Sequence, residues 1–500
     1  MRAAAPCVLL MSLTVAVTLC AVSMAWPPAA GTTLLVSASG GVPANADCTT
    51  PSASADGRYV AFESAATNLG GGTGHKQVYR CDLSTGALDL VSAVNGSPGL
   101  ADSYYASISA DGRYVAFTTN KDVATGGAIS YHCYRRDMNS TDAGALVRLD
   151  VSDSGVLGHG GSVRLSADGT RAAFTSPDAL TPAATNGQWR AFVRDVTAGH
   201  TYLMSSDSVG NPADSGATAP DISADGSVVV FYTASTNLPG ANGHFQVYRR
   251  SVASGPAQLV SCTPAGTSAN GDTYYTTFHA VSANGRFVVF MSSATNLVDT
   301  APAYQSICRK DLDTGAIVLV SKNKNGDLPG FVSRDGALSD DGRYVTFGSL
   351  ANNLLTPNEG AGNAFVWDGT TGDILIASRD TTGVAPSVLA YTPTITSDGR
   401  CVVFGITAPN MVSPPIASAV QQIYLNVLAW SVVGDVNGDR VVSNLDLQEI
   451  IREWRTQTHN PYASHAGTGG ETINADVDGD GDLDRADVSL LLQHLLPSGL

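Results

Sequence analysis

The chain is 500 residues long and carries a formal net charge of −16. Residues 434–500 hold twelve acidic against four basic side chains, so half of the imbalance sits at the C-terminal end and the remaining body is mildly acidic. Nothing basic is clustered, which argues against nucleic acid or an anionic membrane surface as a partner.

The N-terminus opens with Arg2, an apolar run from Val8 to Val22, and then Ser23-Met24-Ala25 before Trp26. This order reads as a secretory signal peptide over residues 1–25, cleaved after Ala25. The stretch is short for a membrane span and no other run reaches its length. The mature protein is therefore expected outside the cytoplasm, secreted or at the cell surface, with no membrane insertion. Six cysteines follow, at Cys48, Cys81, Cys133, Cys262, Cys308 and Cys401. Export permits disulfides, but six thiols allow 15 complete pairings and the spacing shows no paired pattern. Buried free thiols and one or two bridges both fit.

From there the chain repeats itself. An anchor, SADGRYVAF, occurs at Ser54 and Ser109, then as SADGTRAAF at Ser166, SADGSVVVF at Ser223, SANGRFVVF at Ser282 and SDDGRYVTF at Ser339, and shortened to SDGRCVVF at Ser397. Counted from the residue before each glycine, the spacings are 55, 57, 57, 59, 57 and 57 residues. Within one unit an alternating stretch precedes the anchor, Asp-Gly turns the chain, and Tyr-Val-Ala-Phe reads as a β-branched and aromatic strand. A loop with Thr-Asn-Leu follows (67–69, 236–238, 295–297), then a third strand such as QVYRCDL and a fourth such as ALDLVS. Four short strands per unit predict a propeller blade, and seven anchors predict seven blades over residues 26–430. The last unit reaches a third strand near Gln421 to Val427 and lacks a fourth. TTLLVS at 32–37 matches the fourth-strand pattern and is expected to close the ring, hiding both sheet edges.

The anchor, with its following RDLxTG-like strand, resembles the TolB-like, WD40-like propeller repeats of secreted bacterial proteins. That resemblance implies an architecture and leaves the activity open, because one fold hosts many functions. Glycoside hydrolysis needs two carboxyl groups across the scissile bond, and the repeat region holds only two glutamates, Glu63 and Glu359. His75 and His244 fall at equivalent places in two units, with His132, His159, His200 and His279 elsewhere, and read as surface-loop residues. Tyr104-Tyr105, Tyr274-Tyr275 and Tyr391 precede their anchors; blade core is the favoured reading, a sugar-stacking platform the other.

The C-terminal end carries two twelve-residue loops. The first places Asp435, Asn437, Asp439, Val441, Ser443 and Asp446 at positions 1, 3, 5, 7, 9 and 12, and the second places Asp476, Asp478, Asp480, Asp482, Asp484 and Asp487 there. Oxygen donors from alternate residues suit Ca2+, with position 7 giving its backbone carbonyl. Two ions are expected. After each loop the apolar residues fall at Leu447, Ile450, Ile451 and Trp454, and at Val488, Leu491, Leu492 and Leu495, which is helical spacing. No entering helix precedes Asp435.

This duplicated loop-helix unit, GDVNGDRVVSNLDLQEIIREW and ADVDGDGDLDRADVSLLLQHLL, resembles the dockerin type I family and makes residues 431–500 a small α-helical calcium-loop module. The resemblance implies docking onto a cohesin-type module, read by Asn444 and Leu445 in the first unit and by Arg485 and Ala486 in the second. Position 6, where the turn favours glycine, is Gly481 in the second loop but Arg440 in the first, so unequal sites and one docking orientation are expected. The chain thus reads as an all-β seven-bladed propeller followed by a dockerin-like module. Its expected role is a non-catalytic binding or display component with a polysaccharide or protein ligand on the propeller. A carbohydrate-active enzyme, lyase or hydrolase, is the second reading, and a surface protein whose calcium module braces the propeller is the third.

Overall fold

The computed structural model describes residues 26–428, apart from 27, 29, 94–96, 100, 122–129, 141–144, 186, 275–278, 356–360 and 417–418. Among these residues the chain forms seven four-stranded antiparallel sheets and one two-stranded hairpin. Blade 1 is Cys48–Ala53, Tyr59–Ser64, Gln77–Asp82 and Ala87–Leu90, each strand bonded to the next. Blades 2 to 6 repeat this meander over 103–148, 163–203, 217–259, 273–319 and 333–376. Blade 7 takes Tyr391–Ile395, Cys401–Ile406 and Gln422–Val427, and its outer strand is Thr33–Leu35, with Leu34 opposite Leu425. First strands touch between blades 1 and 2, 2 and 3, 3 and 4, 6 and 7, and 7 and 1, and blade 5 joins its neighbours through the third strand of blade 4 and the first strand of blade 6, so the first strands wall the centre of a closed ring.

Each anchor folds into a turn whose polar atoms satisfy one another. In blade 1 the Ser54 hydroxyl donates to Asp56 at 2.7 Å and accepts the Tyr59 N–H at 2.9 Å, while Asp56 also accepts the Arg58 N–H at 2.9 Å. The following glycine holds φ between +65° and +75° in all seven blades, a conformation that a side chain resists. In blade 7 the Thr396 hydroxyl donates to Asp398 at 2.6 Å and accepts the Cys401 N–H at 2.9 Å. The seventh anchor is therefore Thr-Ser-Asp-Gly at full length, not a shortened one, with threonine doing the work of serine.

The last residue of the anchor motif fills the blade. Phe62, Phe117, Phe174, Phe231, Phe290, Phe347 and Phe404 are fully buried, and six of them lie against an aromatic ring of the third strand at 5.5–6.3 Å between centroids. In blade 5 the partner is Cys308. An Arg–Asp pair then clamps the second strand to the end of the third in five blades: Arg58–Asp82, Arg113–Asp137, Arg171–Asp195, Arg286–Asp311 and Arg343–Asp368, at 2.7–3.1 Å.

Two belts of backbone hydrogen bonds tie the blades together. At the anchor turns the N–H groups of Ala55, Ala110, Ala167, Asp225, Ala283, Asp340 and Ser397 each donate to the anchor of the next blade at 2.8–3.2 Å, the last returning to Ala55. At the opposite end, the residue just before each third strand accepts an N–H from the start of the next blade at 2.6–2.9 Å; the acceptors are Lys76, Tyr131, Trp189, Phe245, Gln305, Gly362 and Gln421. Each belt has seven bonds and no gap. Serine closes the ring a third time. Ser92, at the end of the fourth strand of blade 1, accepts the Val78 N–H and donates to Gln77, and Ser37 does the same for Ile423 N–H and Gln422 across the chain ends.

Candidate binding face

Because the strands alternate in direction, first and third strands start at the same end, away from the anchor turns. This end is the mouth of the ring. Tyr131, Trp189 and Phe245 occupy one repeated position there in blades 2, 3 and 4, each with its carbonyl held in the upper belt. Tyr304 and Phe331 stack at 5.3 Å where blade 5 meets blade 6. Tyr105, Tyr274 and Tyr391 start the first strands of blades 2, 5 and 7, and all eight rings are 39–46% exposed. The favoured reading of Tyr105, Tyr274 and Tyr391 as blade core therefore fails: they face out, and the core is filled by the anchor phenylalanines. Tyr104 is half-buried, 6.3 Å from Tyr105 and 6.5 Å from Tyr131, with the Lys76 ammonium 5.5 Å from its centroid. Tyr275 lies outside the described residues.

For Tyr105 the reason is a bulge that strand alternation does not announce. The first strands of blades 1, 2, 4, 6 and 7 each slip register near their middle. Thr50, Tyr105, Ala219, Asp335 and Thr392 sit there, with His279 in blade 5, at φ between +44° and +58°. Side-chain-bearing residues seldom hold that conformation, and such strain gathers where a chain binds something. For Tyr105 the support is visible: its N–H donates to Glu63 at 2.6 Å, and the other Glu63 oxygen takes Lys76 and Thr49 at 3.3 Å.

Beneath the mouth, Glu63, Asp221 and Arg164 are 3%, 7% and 8% exposed. Burial pulls the Arg164 guanidinium down to about 10, with Asp221, Tyr105 and Glu63 acting against it, so it stays charged at neutral pH. Asp221 accepts the Ala280 N–H of the next blade. Both carboxylates are thus engaged in holding backbone. Glu359 lies outside the described residues.

The Thr-Asn-Leu loops fasten the rim. Asn68 accepts the Asn45 N–H at 3.0 Å and donates to the Pro43 carbonyl at 2.8 Å, while Thr67 N–H donates to Asn45 at 2.9 Å. Asn237 with Asp214, and Asn296 with Asn270, repeat the clasp in blades 4 and 5. Histidines pair with aspartates at the same end, His75 with Asp102, His244 with Asp272 and His159 with Asp178, and at the anchor-turn end His200 pairs with Asp153. His75, His159 and His200 are exposed and His244 is half-buried, but His132 is buried, which corrects its reading as a surface residue. Asp150 stands where Ser92 stands in blade 1, accepting the Cys133 N–H, and His132 stands where Gln77 does. The pair is a variant of the Gln–Ser clasp, and a sequence reader misses it because both partners changed. All six cysteines are free, Cys262 half-buried and the rest buried; burial pushes Cys48 and Cys81 up to about 11 and about 12, leaving thiols with little nucleophilic character.

The third strand of blade 7 ends at the anchor-turn face, where Leu428 N–H donates to the Arg400 carbonyl at 2.8 Å. The calcium loops, at Asp435 to Asp446 and Asp476 to Asp487, and the recognition pairs Asn444/Leu445 and Arg485/Ala486 lie beyond this point, outside the described residues. Residues 433–496 match the dockerin type I domain. The chain is thus a seven-bladed β-propeller that carries a dockerin type I domain at its C-terminal end. No curated protein matches it.

Among solved structures it is similar to an oligogalacturonate lyase from Vibrio parahaemolyticus, at 13% identity and TM-score 0.47, covering 79% of this chain and 98% of that one. The propeller domain of the Trilobed protease from Pyrococcus furiosus gives 11% and 0.46, with 76% and 95% covered. TolB from Acinetobacter baumannii gives 18% and 0.34, with 54% of this chain and 53% of that chain covered. At these scores the fold stands on the strand order and the two belts alone.

Proposed function

We propose that this protein is a secreted, non-catalytic binding or display propeller, attached through its dockerin domain to a cohesin-bearing scaffold or surface protein. The observation that carries the reading is the dockerin match at 433–496 following the last propeller strand. Dockerin type I domains bind cohesin modules and generally bind calcium. The donor set Asp435, Asn437, Asp439, Val441, Ser443 and Asp446, with Asp476, Asp478, Asp480, Asp482, Asp484 and Asp487, consists of oxygens alone and suits a hard cation of high coordination number. Two ions follow from two such sets, and calcium would neutralise the crowded carboxylates so that each loop could close. Asn444, Leu445, Arg485 and Ala486 are the residues that would read the cohesin.

The tether leaves from the anchor-turn face. Five Cα steps separate Leu428 from residue 433, at most about 18 Å. Leu428, the last described residue, is at the opposite end of the propeller from the mouth. A pull-down of the full chain on immobilised cohesin modules, with calcium and with a chelator, tests the reading. Capture that needs calcium and is lost in Asp435→Ala/Asp476→Ala supports it; no capture by any cohesin, or capture indifferent to chelator, overturns it.

A further inference from the structure

We propose that the mouth face binds a neutral glycan chain, whose sugar rings stack on an arc of aromatic side chains running from Tyr131 through Trp189 and Phe245 to the Tyr304–Phe331 pair. The proposal rests on reading the propeller as the binding element and adds the face and the ligand chemistry.

Three observations carry it. The first is placement. Tyr131, Trp189 and Phe245 hold the same position in three consecutive blades, and each is 40–44% exposed although its own backbone is locked into the upper belt. Rings held on a rigid support lose little freedom when a ligand covers them. The second is what lies between the rings. His244 beside Asp272 and the Asp214 clasp bring hydrogen-bonding groups to the same rim. Flat apolar faces alternating with polar groups match a sugar, which has an apolar face and a hydroxyl edge, and they match an aliphatic peptide surface poorly.

The third is charge. Several charges at the mouth are matched within the protein, Lys76 with Glu63, His75 with Asp102, His244 with Asp272, and Arg164 among Asp221 and Glu63, while Arg190 beside Trp189 is buried and donates to the Ala213 carbonyl and the Thr185 hydroxyl. The body as a whole is acidic, so no net positive field exists to attract a polyanion. A neutral chain fits this surface, and an acidic polysaccharide does not. The strained bulge of blade 2 agrees, since Tyr105 there is exposed instead of joining the blade core.

The test is native affinity electrophoresis of the full chain through gels containing mixed-linkage β-glucan, arabinoxylan or galactomannan, with polygalacturonate as the acidic comparison. At least one neutral glycan is expected to retard the protein. Trp189→Ala should weaken that retardation about tenfold, as loss of one stacked ring would, and Trp189→Phe should restore most of it. Ala198→Ser, on the exposed turn between the third and fourth strands of blade 3 at the anchor-turn end, serves as the folded control and should leave it unchanged. Retardation by no neutral glycan, equal retardation of Trp189→Ala and wild type, or retardation by polygalacturonate alone would each overturn the proposal. The cohesin pull-down is a separate measurement, so attachment can stand when glycan binding fails.

Discussion

Two glycines with the same backbone angle, Gly112 in the anchor turn of blade 2 and Gly86 in the turn between the third and fourth strands of blade 1, separate the two jobs of an anchor glycine. Gly112 and Gly86 both hold φ +71°, but their surroundings differ. A Cβ at Gly86 would meet nothing within 4 Å, whereas one at Gly112 would lie 2.2 Å from Cδ2 and 2.5 Å from Cγ of Tyr59 in the preceding blade. That ring has no room to retreat. The guanidinium of Arg58 sits 5.0 Å and that of Arg80 4.8 Å from its centroid, and Arg80 also donates to the Gly112 carbonyl at 2.7 Å. Alanine at either site costs about 1–2 kcal/mol for the left-handed backbone, less about 0.4–1 kcal/mol gained by stiffening the unfolded chain. At Gly112 alone, forcing the ring aside adds about 1–3 kcal/mol. Urea unfolding of the full chain, followed by near-ultraviolet circular dichroism, should therefore show a small drop in midpoint for Gly86→Ala and a clearly larger one for Gly112→Ala. Equal midpoints would refute the reasoning, because the blade-to-blade approach would then contribute nothing.

Ring closure makes a second prediction. Ser37→Ala leaves the Ile423 N–H and Gln422 without their buried partner and should cost about 1–3 kcal/mol, matched by Ser92→Ala in blade 1; an unchanged melting temperature for Ser37→Ala beside a lowered one for Ser92→Ala would refute the equivalence. The Arg–Asp clamps predict an acid limit. Burial acts to raise Asp82, but hydrogen bonds from Arg58 and Ser84 outweigh it and bring the carboxyl from 3.8 down to about 2; Asp137 and Asp311 are lowered chiefly by their arginines. A carboxyl held below its unfolded value stabilises the fold above that value and loses this as pH falls through the folded one. The melting temperature should thus be nearly flat down to about pH 4, drop between about pH 4 and 2, and drop less steeply in Asp82→Asn; an identical slope in that variant would count against the clamp.

What could be read from the sequence is what depends on neighbours in the chain. The anchor turn was legible because Ser54, Asp56 and Gly57 act within a few residues of one another. TTLLVS resembles ALDLVS because Ser37 and Ser92 make the same two bonds. The mouth was not legible. Whether Tyr105 joins the core or faces out is decided by a bulge and by Glu63, forty-two residues earlier, and no period in the local pattern carries that information. The Thr-Asn-Leu loops were visible as a recurring phrase, yet their purpose needed the partner at Asn45 or Asp214, which is spelled differently in each blade.

The placement of the chain exit also decides how the protein bears load. Any tension arriving from the dockerin enters at Leu428 and runs into the strand Gln422–Val427, which is flanked on one side by Cys401–Ile406 and on the other by Thr33–Leu35. Ladder bonds lie across the strands, so a pull along that strand shears both ladders at once instead of opening one bond after another. The N-terminal strand that completes the circle is thereby also the second grip on the segment that would otherwise peel away first.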